Sequence, residues 1–435
     1  MEPLHLNRRS LLLASAALLL PLPALAEDRP AAEQVVLKWY RLILELIRHT
    51  ATYSPPVASR AFAYLGVALW EGVAQSRGLT SLAGQVNGLT PPPAPPGPVD
   101  ETALVHAVLS SATAALFFNT GPTGQRAMAA MTRKLGDKVA EGLDPTLLKT
   151  SEDHGAALTV HILAWAETDG GAHIENLGFP AEWKLTEGPA HWVPTNAIRL
   201  QQTPLLPNWG TVRTFAVTGD LPCGLEPPPD YSEDPASIFY VQAKEVYDTA
   251  ISLTDEQKLI ARFWSDDPML SPTPPGHWAS ILIEIAARDA LPVDRLADAL
   301  ARLGMAVADA FIVCWRVKFE VDLVRPITYI RRLIDPKWEP LLNTPPFPEY
   351  PSGHSSQSGA AYAVLEAIFG TDFAFDDATH EADGLPVRSF PSFKAAAEEA
   401  AISRLYGGIH FRAAIDKGLT QGECVAEFVN RLKTL

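Results

Sequence analysis

The stretch Ala31-Ala32-Glu33-Gln34-Val35-Val36-Leu37-Lys38-Trp39-Tyr40-Arg41-Leu42-Ile43-Leu44-Glu45-Leu46-Ile47-Arg48-His49-Thr50 decides the class of fold. Its apolar residues Val35, Leu37, Tyr40, Leu42, Leu44 and Ile47 fit an amphipathic helix better than an alternating strand. Similar patterns recur at about 57–75, 101–118, 123–140, 146–167, 237–252, 255–265, 276–289, 292–320, 353–369, 392–406 and 410–432. No comparable series of alternating strands accompanies them, so the sequence predicts an all-α protein.

The 435 residues and 47% hydrophobic content allow a substantial buried core, which excludes a disordered or fibrous chain. The 38 prolines belong in connections, because proline removes a backbone donor and breaks helix interiors. Pro91-Pro92-Pro93-Ala94-Pro95-Pro96-Gly97-Pro98 reads as an extended link. Residues 187–235 form a longer irregular stretch, placing a boundary between an N-terminal helical half, 27–235, and a C-terminal helical bundle, 236–435. A net charge of −15 disfavours nucleic acid or an anionic membrane as partner, so any bound anion needs a local pocket of opposite sign. Cys223, Cys314 and Cys424 permit one disulfide at most and supply no CxxC pair.

Residues 1–26 read as an export leader. Asn7-Arg8-Arg9-Ser10 precedes an apolar run, Leu11 to Leu25, that ends on the small-residue cleavage pattern Ala24-Leu25-Ala26. The run is too short, and with Pro21 and Pro23 too broken, to span a bilayer. The paired arginines resemble a twin-arginine signal, which implies a periplasmic or secreted protein with no membrane anchor after processing.

Three clusters in the C-terminal half carry chemistry. In Trp315-Arg316-Val317-Lys318-Phe319-Glu320-Val321-Asp322-Leu323-Val324-Arg325-Pro326, Lys318 and Arg325 are two helical turns apart, so a continuous helix aims both cations from one face. Tyr350-Pro351-Ser352-Gly353-His354-Ser355-Ser356 opens a helix with a hydroxyl, free backbone N–H groups and a titratable ring, although Ser352 serves equally as a plain N-cap. Ser403-Arg404-Leu405-Tyr406-Gly407-Gly408-Ile409-His410 places Arg404 and His410 on either side of a helix junction.

Taken together in this order, K-x6-RP, PSGH and SR-x5-H resemble the vanadium-dependent haloperoxidases and the type-2 phosphatidic acid phosphatase superfamily that contains them. Trp209-Gly210, Phe263-Trp264-Ser265-Asp266-Asp267, Thr273-Pro274-Pro275-Gly276-His277-Trp278 and Trp315 extend the likeness over most of 205–432. The resemblance implies two four-helix bundles, with a vanadate site in the C-terminal one. By motif position, His410 is the vanadium ligand. Lys318, Arg325, Ser352, the Gly353 backbone and Arg404 hold the anion's oxygens, and His354 is the acid–base group. Vanadate bound to histidine also imitates the transition state of phosphoryl transfer, so one constellation serves two chemistries.

As a haloperoxidase the protein takes hydrogen peroxide, a halide and a small organic acceptor, with Lys318 polarising the bound peroxide. As an acid phosphatase, His410 is the nucleophile and His354 protonates the leaving alcohol. A non-catalytic oxyanion binder would not require His354. Phosphatases of this superfamily usually carry H-x3-D in the last motif, whereas Ala414 stands at that position here, which favours the peroxidase. Phe347, five residues before Ser352, resembles the chloride-capable haloperoxidases. Asp266 and Asp267 are alternative supporting carboxylates, and His277 is either close to the site or a structural histidine. His49, His106, His154, His161, His173, His191 and His380 show no metal-ligand spacing, and oligomeric state is not readable.

Overall fold

A computed structural model describes residues 29–195, 202–219 and 223–435; the expected export leader lies outside the described residues. Five helices build the N-terminal half: α1 (Ala32–Arg48), α2 (Pro55–Arg77), α3 (Glu101–Leu116), α4 (Pro122–Ala140) and α5 (Pro145–Ala166), followed by the short α6 (Gly171–Ile174). Prolines enter the first turn of α2, α4 and α5, where a missing N–H costs nothing, and Asp100 and Asp144 cap α3 and α5 through their side chains. In the opening stretch Ala32, Val35, Val36, Trp39, Tyr40, Ile43, Leu44, Leu46 and Ile47 are buried, whereas Leu37 and Leu42 of the expected face are only half-buried, because α1 is covered from several sides.

The C-terminal half contains α7 (Ile238–Ile251), α8 (Asp255–Phe263), α9 (Thr273–Arg288), α10 (Val293–Val321), α11 (Pro326–Leu333), α12 (Gly353–Phe369), α13 (Phe393–Tyr406) and α14 (Arg412–Asn430). Between α12 and α13 lies an antiparallel pair, β1 (Phe375–Asp377) and β2 (Arg388–Phe390), with Phe375 opposite Phe390. The sequence pattern gives no hint of this hairpin, whose strands have only three residues each.

The long α10 is the organising element. It packs against α2 of the N-terminal half on one side and against α12 and α14 on the other. Helices α12 and α14 touch backbone to backbone, since a Cβ on Gly359 would overlap the Leu419 carbonyl and one on Gly422 would overlap the Ser356 carbonyl. That contact brings the segment beginning Ser352-Gly353-His354 against the helix that follows His410. A disulfide joins Cys223 to Cys424, with Cα atoms 5.5 Å apart, and Cys314 is free and buried.

One sequence expectation needs correction. Lys318 and Arg325 do not share a helix: α10 stops at Asp322, whose φ of 50° is left-handed, and Arg325 is the N-cap of α11 with Pro326 at the first helical position. The two cations converge across a helix end and a turn, not along one helical face.

Candidate oxyanion site

All three motif clusters meet around a cavity of about 430 Å³. Gly353, His354, Arg404, Ile409 and His410 line it together with Asp266, Asp267, Phe311, Trp315 and Phe347, and Leu205, Leu270 and Leu342 add apolar wall. Lys318, Arg325 and Ser352 have no exposed surface, and Arg404 is 1% exposed.

His410 follows the turn that ends α13. Its Nδ1 faces Glu349 Oε1 at 2.9 Å, and the same oxygen accepts the Phe411 backbone N–H at 2.8 Å. A proton on Nδ1 leaves Nε2 with its lone pair, which Arg325 Nη1 approaches at 3.1 Å. Burial and then the neighbouring Arg325, Lys318 and Arg404 hold His410 well below its ordinary range, so the ring is neutral and able to act as a ligand or nucleophile. Burial pushes Glu349 up to about 7 despite the cations beside it.

Glu349 is a residue of the candidate site that the sequence did not single out. It supplies the carboxylate that the absent H-x3-D aspartate would have supplied, from a loop 61 residues earlier in the chain. The phosphatase chemistry therefore does not lack an orienting acid. The available signal was an acidic residue standing alone in Pro346-Phe347-Pro348-Glu349-Tyr350-Pro351, immediately before the Ser-Gly-His motif.

The arginines are held but not satisfied. Arg325 donates Nε to the Phe347 carbonyl and Nη1 to the Ile409 carbonyl, and Arg404 donates Nε to Ser403 Oγ. Arg404 Nη1 lies 3.1 and 3.3 Å from the two ring nitrogens of His354. Nη2 of both arginines is buried without a hydrogen-bond partner, as is the second oxygen of Glu349. Burial pushes each guanidinium down to about 10 and the Lys318 ammonium down to about 8, the mark of cations desolvated without sufficient counter-charge. A buried donor left unmade costs about 1–3 kcal/mol, more when charged, so an unpaired donor on Arg404 in the cavity wall and another on Arg325, which reaches the cavity-lining His410, fit an anion with several oxygens.

Lys318 is placed differently from expectation. Its ammonium donates to the carbonyls of Pro348 (2.9 Å), Glu349 (3.1 Å) and Pro351, tying down the loop that carries Glu349 and Ser352. Ser352 caps α12 by accepting the Ser355 N–H at 3.3 Å, so the bland reading of this residue is realised at the edge of the site. Phe347 packs on Trp315 at 4.8 Å between ring centroids and lies under Lys318 and Arg325, at 5.2 and 5.1 Å. This aromatic floor keeps water from the cations while its π face favours them.

The two candidate acids separate. Asp266 is 2% exposed and accepts from His277 Nδ1 at 2.9 Å and His380 Nε2 at 3.2 Å, with His354 Nε2 at 3.8 Å, while Asp267 lies half-buried on the cavity wall. His277 is a hydrogen-bonded histidine in the layer behind the cavity, held by Asp266 and Asp377. His380, which has no sequence spacing to advertise it, joins the same layer through the loop after β1.

These features describe a helical-bundle cavity built around a buried histidine and two buried arginines, each with one unpaired donor. The family description "VCPO second helical-bundle domain" matches residues 298–337 and 334–434, the segments that supply the motifs. A crystal structure titled as the first bacterial vanadium-dependent iodoperoxidase superposes with a TM-score of 0.84 at 37% identity, covering 94% of this chain and 99% of that one. A curated vanadium chloroperoxidase from Curvularia inaequalis is 30% identical over 132 residues, 25% of this chain but only 22% of that protein's length. An apo-type bacterial vanadium-dependent chloroperoxidase shares the fold at a TM-score of 0.64 and 16% identity, covering 85% of this chain and 93% of the other. The chain belongs to the vanadium haloperoxidase superfamily.

Proposed function

We propose that the protein is a vanadate-dependent haloperoxidase that uses hydrogen peroxide and a proton to convert a halide into hypohalous acid and water. The observation that carries this reading is the pair of buried, unpartnered Arg325 and Arg404 Nη2 atoms beside a neutral His410. Vanadate, when bound, supplies a Lewis-acidic centre that activates peroxide toward halide.

The chain's own residues do the remainder. Glu349 fixes the His410 tautomer and directs Nε2 at the cavity, where it would be the vanadium ligand. Arg325 and Arg404 would neutralise and orient the oxygens through their free donors, with Ser352 and the Gly353 backbone at the start of α12. Lys318 contributes positive charge and anchors the 348–351 loop. His354, whose side chain is 18% exposed at the cavity, is the proton carrier; burial and then the Arg404 cation hold its basicity well below the ordinary range, and the Asp266 carboxylate opposes them. Trp315, Phe347 and Phe311 exclude water from the charged floor.

Iodide is the halide this reading requires, since it is the most easily oxidised and the relative matched over nearly its whole length is described as an iodoperoxidase. Chloride oxidation is the further expectation that Phe347 carries. A periplasmic or secreted location by twin-arginine export remains part of the proposal, supported by the Cys223–Cys424 disulfide, a bond that persists in oxidising compartments.

Glu349 on His410 Nδ1 favours a second reading, an acid phosphatase working through a phosphohistidine. Side-by-side assays separate the two. Orthovanadate should switch on peroxide-dependent iodide oxidation; phosphate ester hydrolysis that vanadate inhibits, with no iodide oxidation, would select the phosphatase.

A further inference from the structure

Behind His354 runs a chain of side chains that anion binding itself does not require. Asp377 Oδ2 faces His277 Nε2 at 2.8 Å, His277 Nδ1 faces Asp266 at 2.9 and 3.1 Å, and Asp266 meets His380 Nε2 at 3.2 Å. The far nitrogen of His380 faces Asp383 at 2.9 Å, and Arg48 engages Asp383 at 2.8 Å. We propose that the buried Asp377–His277–Asp266–His380 chain is a positioning relay that keeps a charged carboxylate beside His354. The relay offsets the Arg404 cation so that His354 can carry a proton.

The proposal rests on His354 being the proton carrier, and on three observations. First, Asp266 Oδ2 lies 3.8 Å from His354 Nε2, within reach of a small rotation, whereas Arg404 Nη1 presses on the same ring at 3.1 Å. Without a carboxylate there, His354 would face a guanidinium alone. Second, both nitrogens of His277 face carboxylates and its ring stacks on Trp264 at 4.4 Å and 18°, an arrangement that favours the protonated ring. Burial opposes the charge, yet Asp266 and Asp377 raise His277 to about 10, and His277 and His380 in turn hold Asp266 well below the ordinary carboxylate range against its own burial. Third, the loop that delivers Asp266 is strained: Asp266, Met269 and Thr273 have φ of 49°, 68° and 64°, a left-handed region costly for a β-branched residue such as Thr273. Such strain persists where surrounding structure over-determines it, commonly at functional sites.

The charged and polar groups facing His354 are Arg404 from α13, Asp266 from the 265–272 loop and the Trp264 carbonyl after α8. Asp267 on the same loop and His410 lie on the cavity wall, and His277 from α9 acts through its field. Ligand atoms of Asp266, His277 and His380 also lie within 4.8 Å of one another, a spacing that would suit a divalent metal. The relay is favoured because both His277 nitrogens already face carboxylates, Asp266 on one side and Asp377 on the other, at hydrogen-bond distance.

Two measurements test the relay. In the apo wild type with 15N-labelled histidine, His277 should show the doubly protonated signature at pH 8. In orthovanadate-loaded protein, Asp266→Asn should retain vanadate and lower the His354 titration midpoint by about one pH unit or more, the effect of losing an opposite charge at this range. If Asp266→Asn does not fold, the wild-type His277 signal still decides. A neutral His277, an unmoved His354 midpoint, or one equivalent of divalent metal in the purified protein would overturn the relay. Absence of halide oxidation with both signals as expected would overturn the haloperoxidase reading and leave the relay standing.

Discussion

Two buried arginine environments in this molecule differ in one respect. In the N-terminal half, Arg60 on α2 spends Nε on Asp169 at 2.7 Å, Nη1 on Glu175 at 3.2 Å and Nη2 on the Ala166 carbonyl at 2.9 Å, and Tyr64 completes Asp169 at 2.8 Å. In the C-terminal half, Arg325 and Arg404 are as deeply buried, yet each keeps one Nη2 without a partner. A chain that satisfies Arg60 can evidently satisfy a guanidinium when structure is the purpose. The unsatisfied pair is the feature on which the proposed vanadate site rests, and burial alone would not have distinguished the two environments.

The sharpest way to break this contrast is to remove each arginine. Arg60→Ala leaves Asp169 as a buried, uncompensated charge and should destabilise folding by about 3–5 kcal/mol, measured by chemical denaturation. Arg404→Ala should cost the apo protein far less, while weakening vanadate affinity by about 1.5–3 kcal/mol in calorimetry, roughly tenfold to a hundredfold. Equal stability losses with equal vanadate affinities would erase the distinction.

The histidines sharpen it next. His410→Ala should abolish turnover and the bond to vanadium, whereas His354→Ala should keep much of the anion affinity and lose the proton transfer, worth about 10²–10⁴-fold in rate. Glu349→Gln replaces the carboxylate that orients His410 Nδ1 and should lower turnover by about 10–100-fold.

A pH series reads the same site. Glu349 ionises near 7 and Lys318 loses its proton near 8, and both changes reduce the positive charge around the cavity. Affinity for vanadate should therefore fall as pH rises from about 7 through about 8. The Glu349 shift also has a stability sign: a carboxyl raised above its ordinary 4.5 holds its proton longer in the folded chain, so its contribution falls as pH rises from there to about 7. Affinity that rises between pH about 7 and about 8 would contradict the assignment of both groups. The smallest effect expected is in halide scope, where Phe347→His should suppress chloride oxidation more than bromide oxidation in a monochlorodimedone assay.

Much of this site was legible because the three clusters occur together in an order that resembles the vanadium haloperoxidases; singly, Ser352 before α12, Arg404 in the last turn of α13 and His410 just before α14 read equally well as capping and junction residues. The helix spans were legible from periodicity, apart from the eight residues of α11 and the four of α6, both too short to establish a pattern. Arg325 was found but misplaced, since nothing local announces that Asp322 turns left-handed. Glu349, His380 and Asp377 were illegible for a common reason. Each reaches its partner from a loop or a three-residue strand at a sequence separation of 61 to 114 residues, and such contacts are set by packing, not by spacing.

The central claim is that the two unpaired arginines and His410 form a vanadate site that oxidises halide. Stepwise addition of orthovanadate to purified, vanadate-free protein, with peroxide-dependent iodide oxidation measured at each step, tests it directly. Activity should be absent at the start, rise in proportion to vanadate and saturate at one equivalent per chain. Saturating vanadate that leaves iodide untouched would contradict it.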